Sequence, residues 1–364
     1  MPRLGMTLAG VAVGVAMSSP LPVASQDWTR REFPLAPPNS GGNFVAPYFD
    51  GYYKNEDGTY TLSFGFMNRN DEDLIEIPLG PDNFIEPAQY DGVQPTTFPV
   101  VSYSGFGGPR ERGVFGVVVP ADFEGDVWWT LTTDGYTTKV PGRLKGRFDG
   151  LIGFESAYEL STTPMAEGSL RPTIRFTEDG PDVWGVTGVE HPRRFTTSVG
   201  EPIEVAFRAF DRGDRELGDV NMTLWKYRGP VGGVIAFESL VESPPGGGGR
   251  GGRGGRGGAP GGFDPSNLPA GVTIDDIPPE ILAQLEAGRG AAAAPTGPGP
   301  VEVGQTVRIA SQGPNANVGR FRATFDSPGE YVIRVRIDSF TAGDSAPGNQ
   351  CCWTNGYVRV SVTE

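Results

Sequence analysis

Short runs rich in β-branched and aromatic residues recur along the chain. In the N-terminal half such runs cover residues 59–67, 113–119 and 126–132, and they are separated by turn-forming Asn, Asp, Gly and Pro residues. Short runs that alternate with turn formers are typical of antiparallel β-sandwiches. The pattern predicts a first β-sandwich over residues 43–143, followed by a connector over residues 144–185.

A second β pattern follows the connector. Its clearest strand is EYVIRVRI, in which apolar side chains alternate with Arg334 and Arg336. Side chains alternate between the two faces of a strand, so we expect one face in a core and the face that carries both arginines in solvent. The pattern predicts a second sandwich built from residues 186–240 and 301–364.

Residues 241–300 interrupt this second sandwich. The segment 244–262 contains 12 glycines in 19 residues, a composition that cannot bury enough apolar surface to fold. Residues 277–287 combine a stripe of Ile and Leu with a following glycine, which predicts one short helix. We expect a disordered, Gly-, Arg-, Ala- and Pro-rich insert that tethers this helix on both sides.

The N-terminus has the features of an export signal. It carries Arg3, an apolar run at 8–17 and a stretch of small residues that ends at Ser25. The apolar run is shorter than the ~20 residues needed to span a bilayer, so residues 1–25 are predicted to be a cleaved secretory signal peptide. Residues 26–42 follow as an extended leader. We expect the mature protein to be secreted, periplasmic or associated with the cell surface.

Composition and charge narrow the function classes. The chain has 364 residues, of which 55 are Gly and 34 are Pro, and this disfavours a helix-rich protein. Acidic residues outnumber basic ones by 44 to 30, for a net charge of -14, so neither nucleic acid nor an anionic membrane is the expected partner. His191 is the only histidine, which excludes multi-histidine metal sites and leaves no support for a histidine-dependent triad.

Three segments of the second sandwich resemble a known family. They are SVGEPIEVAFRAFD at 198–211, GRFRATFDSPGEYVIRV at 319–335 and GYVRVSV at 356–362. They are similar to bacterial immunoglobulin-like and PKD-like domains of secreted and cell-surface proteins. The resemblance implies that Tyr331 forms a tyrosine corner, in which its hydroxyl binds backbone upstream. The expected fold class is all-β, with two antiparallel immunoglobulin-like β-sandwich domains, and the motifs specify no activity.

The most unusual local chemistry is the sequence Cys351-Cys352-Trp353. In an exported protein we expect both thiols to be oxidised. A vicinal disulfide, free or intermolecularly paired thiols, and a soft-metal site all remain open. A vicinal bridge is strained, because adjacent Cα atoms lie ~3.8 Å apart, below the usual range of ~4.4–6.8 Å. Such a bridge would turn these three residues into a rigid platform for a sugar ring or a partner protein.

Aromatic side chains are the second candidate for a ligand surface. Trp128 and Trp129 are adjacent in a predicted strand and must face opposite ways. We include Trp129 among the predicted binding residues. The other aromatics that could line a carbohydrate groove are Trp128, Trp184, Trp225, Tyr48, Phe49, Tyr52 and Tyr53. The alternative is that these rings fill the sandwich cores and the contacts between the domains.

Clustered acids provide a weak calcium candidate. Asp71 and Asp73 lie in one acidic turn, and Asp82 follows one strand later. Calcium takes about six to eight oxygen ligands, although this spacing matches no EF-hand loop. Asp211, Asp214 and Asp219 belong to a second acidic turn, which is a similar candidate. We otherwise expect no cofactor.

These features favour an exported, non-catalytic binding or adhesion protein. The expected ligand is a glycan or a surface protein, bound through loops at the ends of the sandwiches. One alternative is a structural or assembly component of a surface complex, in which the helix of the insert docks on a neighbour. A secreted enzyme such as a carbohydrate-active hydrolase is the other alternative, but no spacing singles out a pair of carboxylates.

Overall fold

The structure is a computed structural model that describes residues 44–70, 74–100, 110–145, 159–160, 170–213, 217–241, 298–339 and 352–364. All of these residues belong to one compact unit, Gly42–Glu364. The predicted signal peptide and the predicted helix at 277–287 lie outside the described residues. Within the described ranges, no helix is long and apolar enough to cross a membrane.

The N-terminal sandwich is built from short antiparallel strands. They are β1 Val45–Lys54, β2 Tyr60–Asn68, β3 Ile75–Glu76, β4 Asn83–Glu86, β5 Thr97–Phe98, β6 Glu111–Val119, β7 Val127–Thr133 and β8 Tyr136–Gly142, with a 3-10 turn at Ala88–Tyr90. One three-stranded sheet has the order β1-β2-β6, a second has the order β4-β7-β8, and β3 pairs with β5. The core between them is rich in aromatic rings, among them Phe64, Phe66, Phe98, Phe115 and Trp129.

The C-terminal sandwich is larger. Its strands are β9 Thr173–Arg175, β10 Val189–Glu190, β11 Phe195–Ser198, β12 Ile203–Phe210, β13 Val220–Arg228, β14 Ile235–Ser239, β15 Gly299–Val301, β16 Thr306–Ile309, β17 Val318–Phe325, β18 Gly329–Asp338 and β19 Trp353–Thr363. A six-stranded sheet has the order β10-β19-β18-β13-β16, with β11 also paired to β19, and a five-stranded sheet has the order β15-β14-β17-β12-β9. The described strand pairs are antiparallel, except that β10 and β11 run parallel to β19.

The strand pattern therefore predicted the fold class correctly: the protein is all-β, with two antiparallel immunoglobulin-like sandwiches. In β12 the predicted alternation is regular, since Ile203, Val205 and Phe207 are buried while Glu204 and Arg208 are exposed. The aliphatic core of the C-terminal sandwich forms from such faces of β12, β13, β17 and β18.

The tyrosine corner that the resemblance implied is present. The hydroxyl of Tyr331 donates a hydrogen bond to the carbonyl oxygen of Ser327, 2.8 Å away and four residues upstream. The ring of Tyr331 is only 1% exposed and contacts Phe325. The bond ties the start of β18 to the turn that precedes it, as in immunoglobulin-like folds.

The prediction that the second face of β18 lies in solvent is wrong. Arg334 and Asp338 are 0% and 2% exposed. The reason is a second layer of packing, because strand β6 of the N-terminal sandwich covers this face of β18 and β19. A single strand cannot reveal that its polar face is covered by another domain.

The connector packs on both sandwiches. Leu160 donates a backbone hydrogen bond to Tyr52 of β1, and its side chain clusters with Tyr53 and Val186. Further along the connector, β9 adds to the edge of the five-stranded sheet through its pairing with β12. The described parts of the connector therefore contact both sandwiches.

Both ends of the insert also lie within the fold. Ser239 of β14 pairs with Gly299 of β15, and Val241 is buried in the core. The predicted boundary at 241–300 therefore includes a few residues that belong to the sandwich. The described strands on either side of residues 242–297, β14 and β15, pair with each other at one edge of the five-stranded sheet.

Candidate functional site

The predicted platform at Cys351–Trp353 lies inside the protein where it is described. Cys352 is 0% exposed and disulfide-bonded, and Trp353 is 5% exposed. Trp353 begins β19 and packs against β6, where a Cβ placed on Gly113 would lie 3.4 Å from its ring. Cys351 lies outside the described residues, so the vicinal pairing stays a prediction. The position of Cys352 and Trp353 supports a role in packing between the sandwiches rather than an exposed platform.

Trp129 is part of the N-terminal core. Its ring is 0% exposed, its indole N–H donates to the side-chain oxygen of Asn83 at 3.1 Å, and Phe115 lies 4.9 Å away, ring centre to ring centre. A fully buried ring cannot contact a ligand, and this corrects the prediction that Trp129 is a binding residue. As the alternation required, Trp128 faces the other way and is half-buried, with the Lys139 ammonium 4.9 Å from its ring centre.

The structure adds no support for calcium. Asp71 and Asp73 lie outside the described residues, and Asp82 is exposed. Among described residues, no three His, Cys, Asp or Glu side chains converge in a way that could hold a metal ion. Calcium at this turn stays a prediction, and chelation with EDTA should lower the melting temperature if the site is occupied.

The second acidic turn has a structural explanation. Asp219 forms an ion pair with Arg308 and accepts hydrogen bonds from the backbone and hydroxyl of Ser311. Asp211 accepts the backbone N–H groups of Arg212 and Gly218. Burial opposes ionisation of Asp219, but the bonds from Ser311 and Arg308 outweigh it and lower its pKa. Both carboxylates therefore stabilise loops of the C-terminal sandwich.

His191 also has a structural environment. Its Nδ1 lies 2.9 Å from the backbone N–H of Arg193, and its ring lies between Phe176 and Phe195 at about 5 Å from each. Burial lowers the pKa of His191 below its usual value. The ring acts as a packing element of the loop before β11.

A buried ionic cluster joins the two sandwiches. Glu111 of β6 accepts hydrogen bonds from Arg334 at 3.0 Å and from Arg336 at 2.8 Å. Arg336 also reaches Asp338 at 3.3 Å, and the Arg334 guanidinium lies 4.5 Å from the ring centre of Trp225. We call these five residues the interdomain cluster. Its two acids balance its two bases, so the buried charges compensate one another.

Further bonds satisfy the interdomain cluster. Arg334 donates to the side chain of Asn355 at 2.9 Å and to the carbonyl of Gly113 at 2.8 Å. Burial lowers the pKa of Arg334 although Glu111 opposes this. Burial also disfavours the charge of Arg336, but Glu111 and Asp338 hold its pKa above the usual value. The cluster fixes the position of β6 on the second sandwich.

A second set of polar contacts extends this interface. The Lys226 ammonium pairs with Glu76, and the hydroxyl of Tyr227 donates to the carbonyl of Val93 at 2.5 Å. Arg228 donates to the carbonyl of Gln94 at 2.8 Å. Interfaces between domains of one chain commonly permit motion. Two separate sets of buried polar bonds instead hold these sandwiches in one orientation.

A buried carboxylate lies on the other side of β6. Asp50 accepts hydrogen bonds from Arg110 at 2.7 Å, from the backbone N–H of Gly113 at 2.9 Å and from Ser63 at 3.3 Å. Burial raises the pKa of Asp50, although Arg110 and the Gly113 N–H oppose it. All three partners lie within the N-terminal sandwich, so Asp50 anchors the start of β6.

Three segments meet at the junction of the sandwiches and form a surface of arginine and aromatic side chains. Tyr53 comes from β1, Arg171 and Trp184 from the connector, and Arg212 from the loop after β12. The Arg171 guanidinium lies 4.5 Å from the ring centre of Tyr53, and that of Arg212 lies 3.7 Å from the ring centre of Trp184. We call these four residues the junction surface. Tyr53 is only 1% exposed and lies beneath the Arg171 guanidinium, whereas Arg171 and Trp184 are partly exposed and can be reached by a ligand.

The backbone holds the junction surface in place. Gly185, beside Trp184, has φ +102, and a Cβ there would lie 3.0 Å from a terminal nitrogen of Arg171. The N–H of Gly185 donates to the hydroxyl of Thr354 at 2.9 Å. Because Gly185 has no side chain, the Arg171 guanidinium can lie close to the backbone at this position. Thr354 of β19 holds this backbone in place by accepting the N–H of Gly185.

The electrostatics of the junction surface differ from those of the interdomain cluster. Burial lowers the pKa of Arg171, and the positive charge of Arg212 acts in the same direction, although Tyr53 and Glu56 oppose them. Arginine nevertheless stays protonated in proteins. The sequence alone named Trp184 as a possible groove residue, but Arg171 and Arg212 are remote in sequence and share no local motif that could have indicated them.

One shallow hollow elsewhere has a volume of about 320 Å³ and is lined by Phe123, Glu124, Gly125, Asp126, Arg143, Leu144 and Lys145. Its charges are already matched, because Arg143 pairs with Asp126 at 2.6 Å and Lys145 with Glu124 at 3.7 Å. The junction surface is the stronger candidate, because three chain segments meet there and Arg171 and Trp184 are partly exposed.

Comparisons with known proteins give distant likenesses. No protein-family model and no curated protein matches the chain. Solved structures that match include a PapD-like domain of human CEP192, with 13% identity, TM-score 0.21 and coverage of 56% of this chain and 90% of that one. The adhesin InvE of Yersinia pseudotuberculosis has 8% identity and TM-score 0.19 over 87% of this chain and 58% of InvE. The collagen adhesin of S. aureus has 10% identity and TM-score 0.16 over 88% and 93%. Such low scores identify no ligand.

Proposed function

We propose that the protein is an exported, non-catalytic binding or adhesion protein that recognises a glycan or a surface protein at the junction of its two sandwiches. The observation that supports this proposal is the junction surface, where the partly exposed side chains of Arg171 and Trp184 lie against the buried ring of Tyr53 and the guanidinium of Arg212. Binding sites occur preferentially where domains meet. Arginine, tyrosine and tryptophan are also the residues that dominate binding energy at interfaces.

The interdomain cluster supports the proposal through rigidity. A ligand surface assembled from two domains and a connector binds well only if these parts are held together before binding. Glu111 fixes β6 through Arg334 and Arg336, and Gly185 is fixed through Thr354. The surface therefore requires no closure of the domains before a ligand binds.

This proposal moves the binding site away from Cys352 and Trp353. These residues start the strand that carries Thr354, which in turn bonds to Gly185 beneath the junction surface. A vicinal bridge between Cys351 and Cys352 would stiffen the start of that strand, and alkylation of the native protein followed by intact-mass measurement tests it. Two alkylated thiols would exclude the bridge.

Binding at the junction surface can be tested with the full chain on an array of glycans and surface proteins. We expect specific binding that Trp184→Ala weakens about tenfold or more, since aromatic anchors contribute strongly to binding. Trp128→Ala is the matched control, because Trp128 is also a half-buried tryptophan but lies in the N-terminal sandwich on β7. Equal binding by the wild type and Trp184→Ala would overturn this location.

Export is part of the proposal and rests on the sequence of residues 1–25. Expression of the full chain with its natural N-terminus in a bacterial host should give a protein outside the cytoplasm that begins at Gln26. Cell fractionation and N-terminal sequencing measure both points. A full-length protein that stays in the cytoplasm would contradict export.

A role in assembly is the second candidate, and the helix that the sequence predicts at 277–287 favours it. The described residues on either side of 242–297 belong to the paired strands β14 and β15, so residues 242–297 can be replaced by a short Gly-Ser linker without removing a described strand. If the insert docks on a neighbour, the full chain should elute earlier on size-exclusion chromatography than expected for a monomer, and the shortened chain should not. Identical monomeric elution of both would exclude self-assembly through the insert.

A further inference from the structure

Three loops meet at one end of the C-terminal sandwich. They are the loop before β12 at 199–202, the loop between β13 and β14 at 229–234, and the loop between β17 and β18 at 326–328. Backbone hydrogen bonds connect them, because Gly200 donates to Phe325 at 2.9 Å and Asp326 donates to Val234 at 3.2 Å. Arg212 of the junction surface follows the opposite end of β12. The three loops are therefore separate from the junction surface.

Valine side chains project from these loops. Val231 and Val234 are 68% and 58% exposed, the highest values among the large apolar side chains that the structure describes, and Val199 on the adjoining loop is 37% exposed. A single exposed apolar side chain is ordinary, but a group of them on adjoining loops is typical of an interaction site. We call these three valines the valine surface.

The loop between β13 and β14 is fixed by a buried ion pair. The ammonium group of Lys226 donates to the carbonyls of Pro230 and Gly233 and pairs with Glu76 of the N-terminal sandwich. Glu76 also accepts the backbone N–H of Gly232 at 2.6 Å. Both sandwiches therefore hold this loop in one conformation.

The same loop packs on the tyrosine corner. A Cβ on Gly233 would lie 2.5 Å from the hydroxyl oxygen of Tyr331, so only glycine fits there. Asp326 accepts the backbone N–H of Val234 at 2.8 Å and the hydroxyl of Ser327 at 2.9 Å, and these bonds lower the pKa of its carboxyl. Valine itself is stiff at χ1. The valines are thus positioned before binding, which reduces the entropy that a partner must offset.

Acidic side chains surround the valine surface. Glu201, Asp326 and Glu330 are exposed there, and the three loops with the first two residues of β18 contain no Lys or Arg. Lys226 lies under the loop, but it is buried and its charge is matched by Glu76. The end of the sandwich therefore combines exposed apolar side chains with a negative rim.

We propose that the valine surface docks on a partner protein that presents an apolar segment flanked by lysine or arginine. Burial of the valines would provide the contact, and the acidic rim would select the basic flanks. An anionic membrane does not fit, because its surface would repel the same acids. This proposal goes beyond the proposed function, since it concerns a second surface with its own partner.

An array of short synthetic peptides, probed with the full chain, tests the proposal. Each peptide places Leu, Ile or Phe between Lys or Arg residues and is matched by a version in which Glu replaces every base. We expect at least one basic peptide to bind about tenfold or more tighter than its acidic version. Its binding should weaken as salt is increased, although apolar contact remains.

Four variants locate the effect. The double variant Val231→Ser, Val234→Ser should weaken binding of that peptide about tenfold or more, because it removes the apolar contact. Val118→Ser is the matched control, since Val118 is 47% exposed on β6 of the N-terminal sandwich. Glu201→Lys should reduce the preference for basic flanks, whereas Glu124→Lys, at a glutamate that is 83% exposed between β6 and β7, should not. Melting temperatures establish that all variants are folded.

The outcomes separate this proposal from the proposed function. Absence of peptide binding, equal binding of basic and acidic versions, or a basic preference that survives the double valine variant would overturn it. Binding to phosphatidylcholine vesicles through the valines, with no binding to any peptide, would also overturn it and would indicate a membrane. If Trp184→Ala weakens binding at the junction surface while no peptide binds the valine surface, the proposed function stands and only this second surface is wrong.

Discussion

Arg334 and Arg171 show how one local arrangement can have two different roles. Each guanidinium lies 4.5 Å from the centre of an aromatic ring, Trp225 for Arg334 and Tyr53 for Arg171. Arg334 is 0% exposed and bonded to Glu111, Asn355 and Gly113, whereas Arg171 is partly exposed and bonded to none of the described residues. In both sites an aromatic ring lies against the guanidinium group. The partners of the charge decide whether the site holds the fold or can take a ligand.

The difference follows from desolvation. A fully buried arginine loses its water and is tolerated only when a carboxylate and other acceptors replace that water. Arg334 has these acceptors within the protein. Arg171 keeps contact with solvent, which can be displaced by a ligand that offers the same acceptors. Substitutions that remove charge or packing should therefore affect stability at the first site and binding at the second.

The largest loss of stability is expected for Glu111→Gln. This change removes the negative charge that Arg334 and Arg336 share, so Arg334 loses its carboxylate and Arg336 keeps only Asp338. Loss of one partner of a buried ion pair costs about 3–5 kcal/mol in free energy of unfolding, measured by urea denaturation. Glu204→Gln is the control, because Glu204 pairs with Arg322 on the surface, and it should cost at most about 1 kcal/mol. Equal losses would mean that the interdomain cluster does not hold the sandwiches together.

Gly113→Ala should have the next largest effect, because Gly113 lies within the same interface. Its φ is +57, and a Cβ would lie 3.0 Å from Val186 and 3.4 Å from Trp353. We expect a loss of about 2 kcal/mol from backbone strain and crowding together. Gly135→Ala separates these causes, since Gly135 has φ +75 with nothing within 4 Å, and it should lose only about 1 kcal/mol. A similar loss in both variants would show that β6 can move away from β19.

Tyr331→Phe measures how much one uncharged hydrogen bond contributes to stability, for comparison with the charged pairs of the interdomain cluster. It removes the hydroxyl that donates to Ser327 but keeps the buried ring. One neutral hydrogen bond contributes about 1 kcal/mol, so the loss should be well below that of Glu111→Gln. Tyr136→Phe, at a tyrosine that is 56% exposed, should change thermal unfolding little. If Tyr331→Phe cost as much as Glu111→Gln, charge would not explain the strength of the interdomain cluster.

The sequence predicted those features that depend on local pattern. Alternation predicted β12, and the Pro-Gly-x-Tyr motif indicated the bond of Tyr331, because both arise within a few residues of chain. The burial of Arg334 depends on β6, more than two hundred residues away in sequence, and no alternation within β18 could show it. The junction surface has the same origin, since Arg171 and Tyr53 are in contact although they are more than one hundred residues apart in sequence.

The smallest loss of stability is expected for Arg171→Met, and this prediction separates the two arginines most directly. Arg171 bonds to none of the described residues, so its replacement leaves no described group without a partner, and the Met side chain still covers Tyr53. We expect the free energy of unfolding to change by no more than about 0.5 kcal/mol. Arg334→Met should instead cost about 3 kcal/mol, because it leaves Asn355 and the carbonyl of Gly113 with fewer donors inside the interface. Urea denaturation of both variants measures the contrast. A loss for Arg171→Met as large as for Arg334→Met would make Arg171 part of the fold and would remove the distinction on which the ligand surface depends.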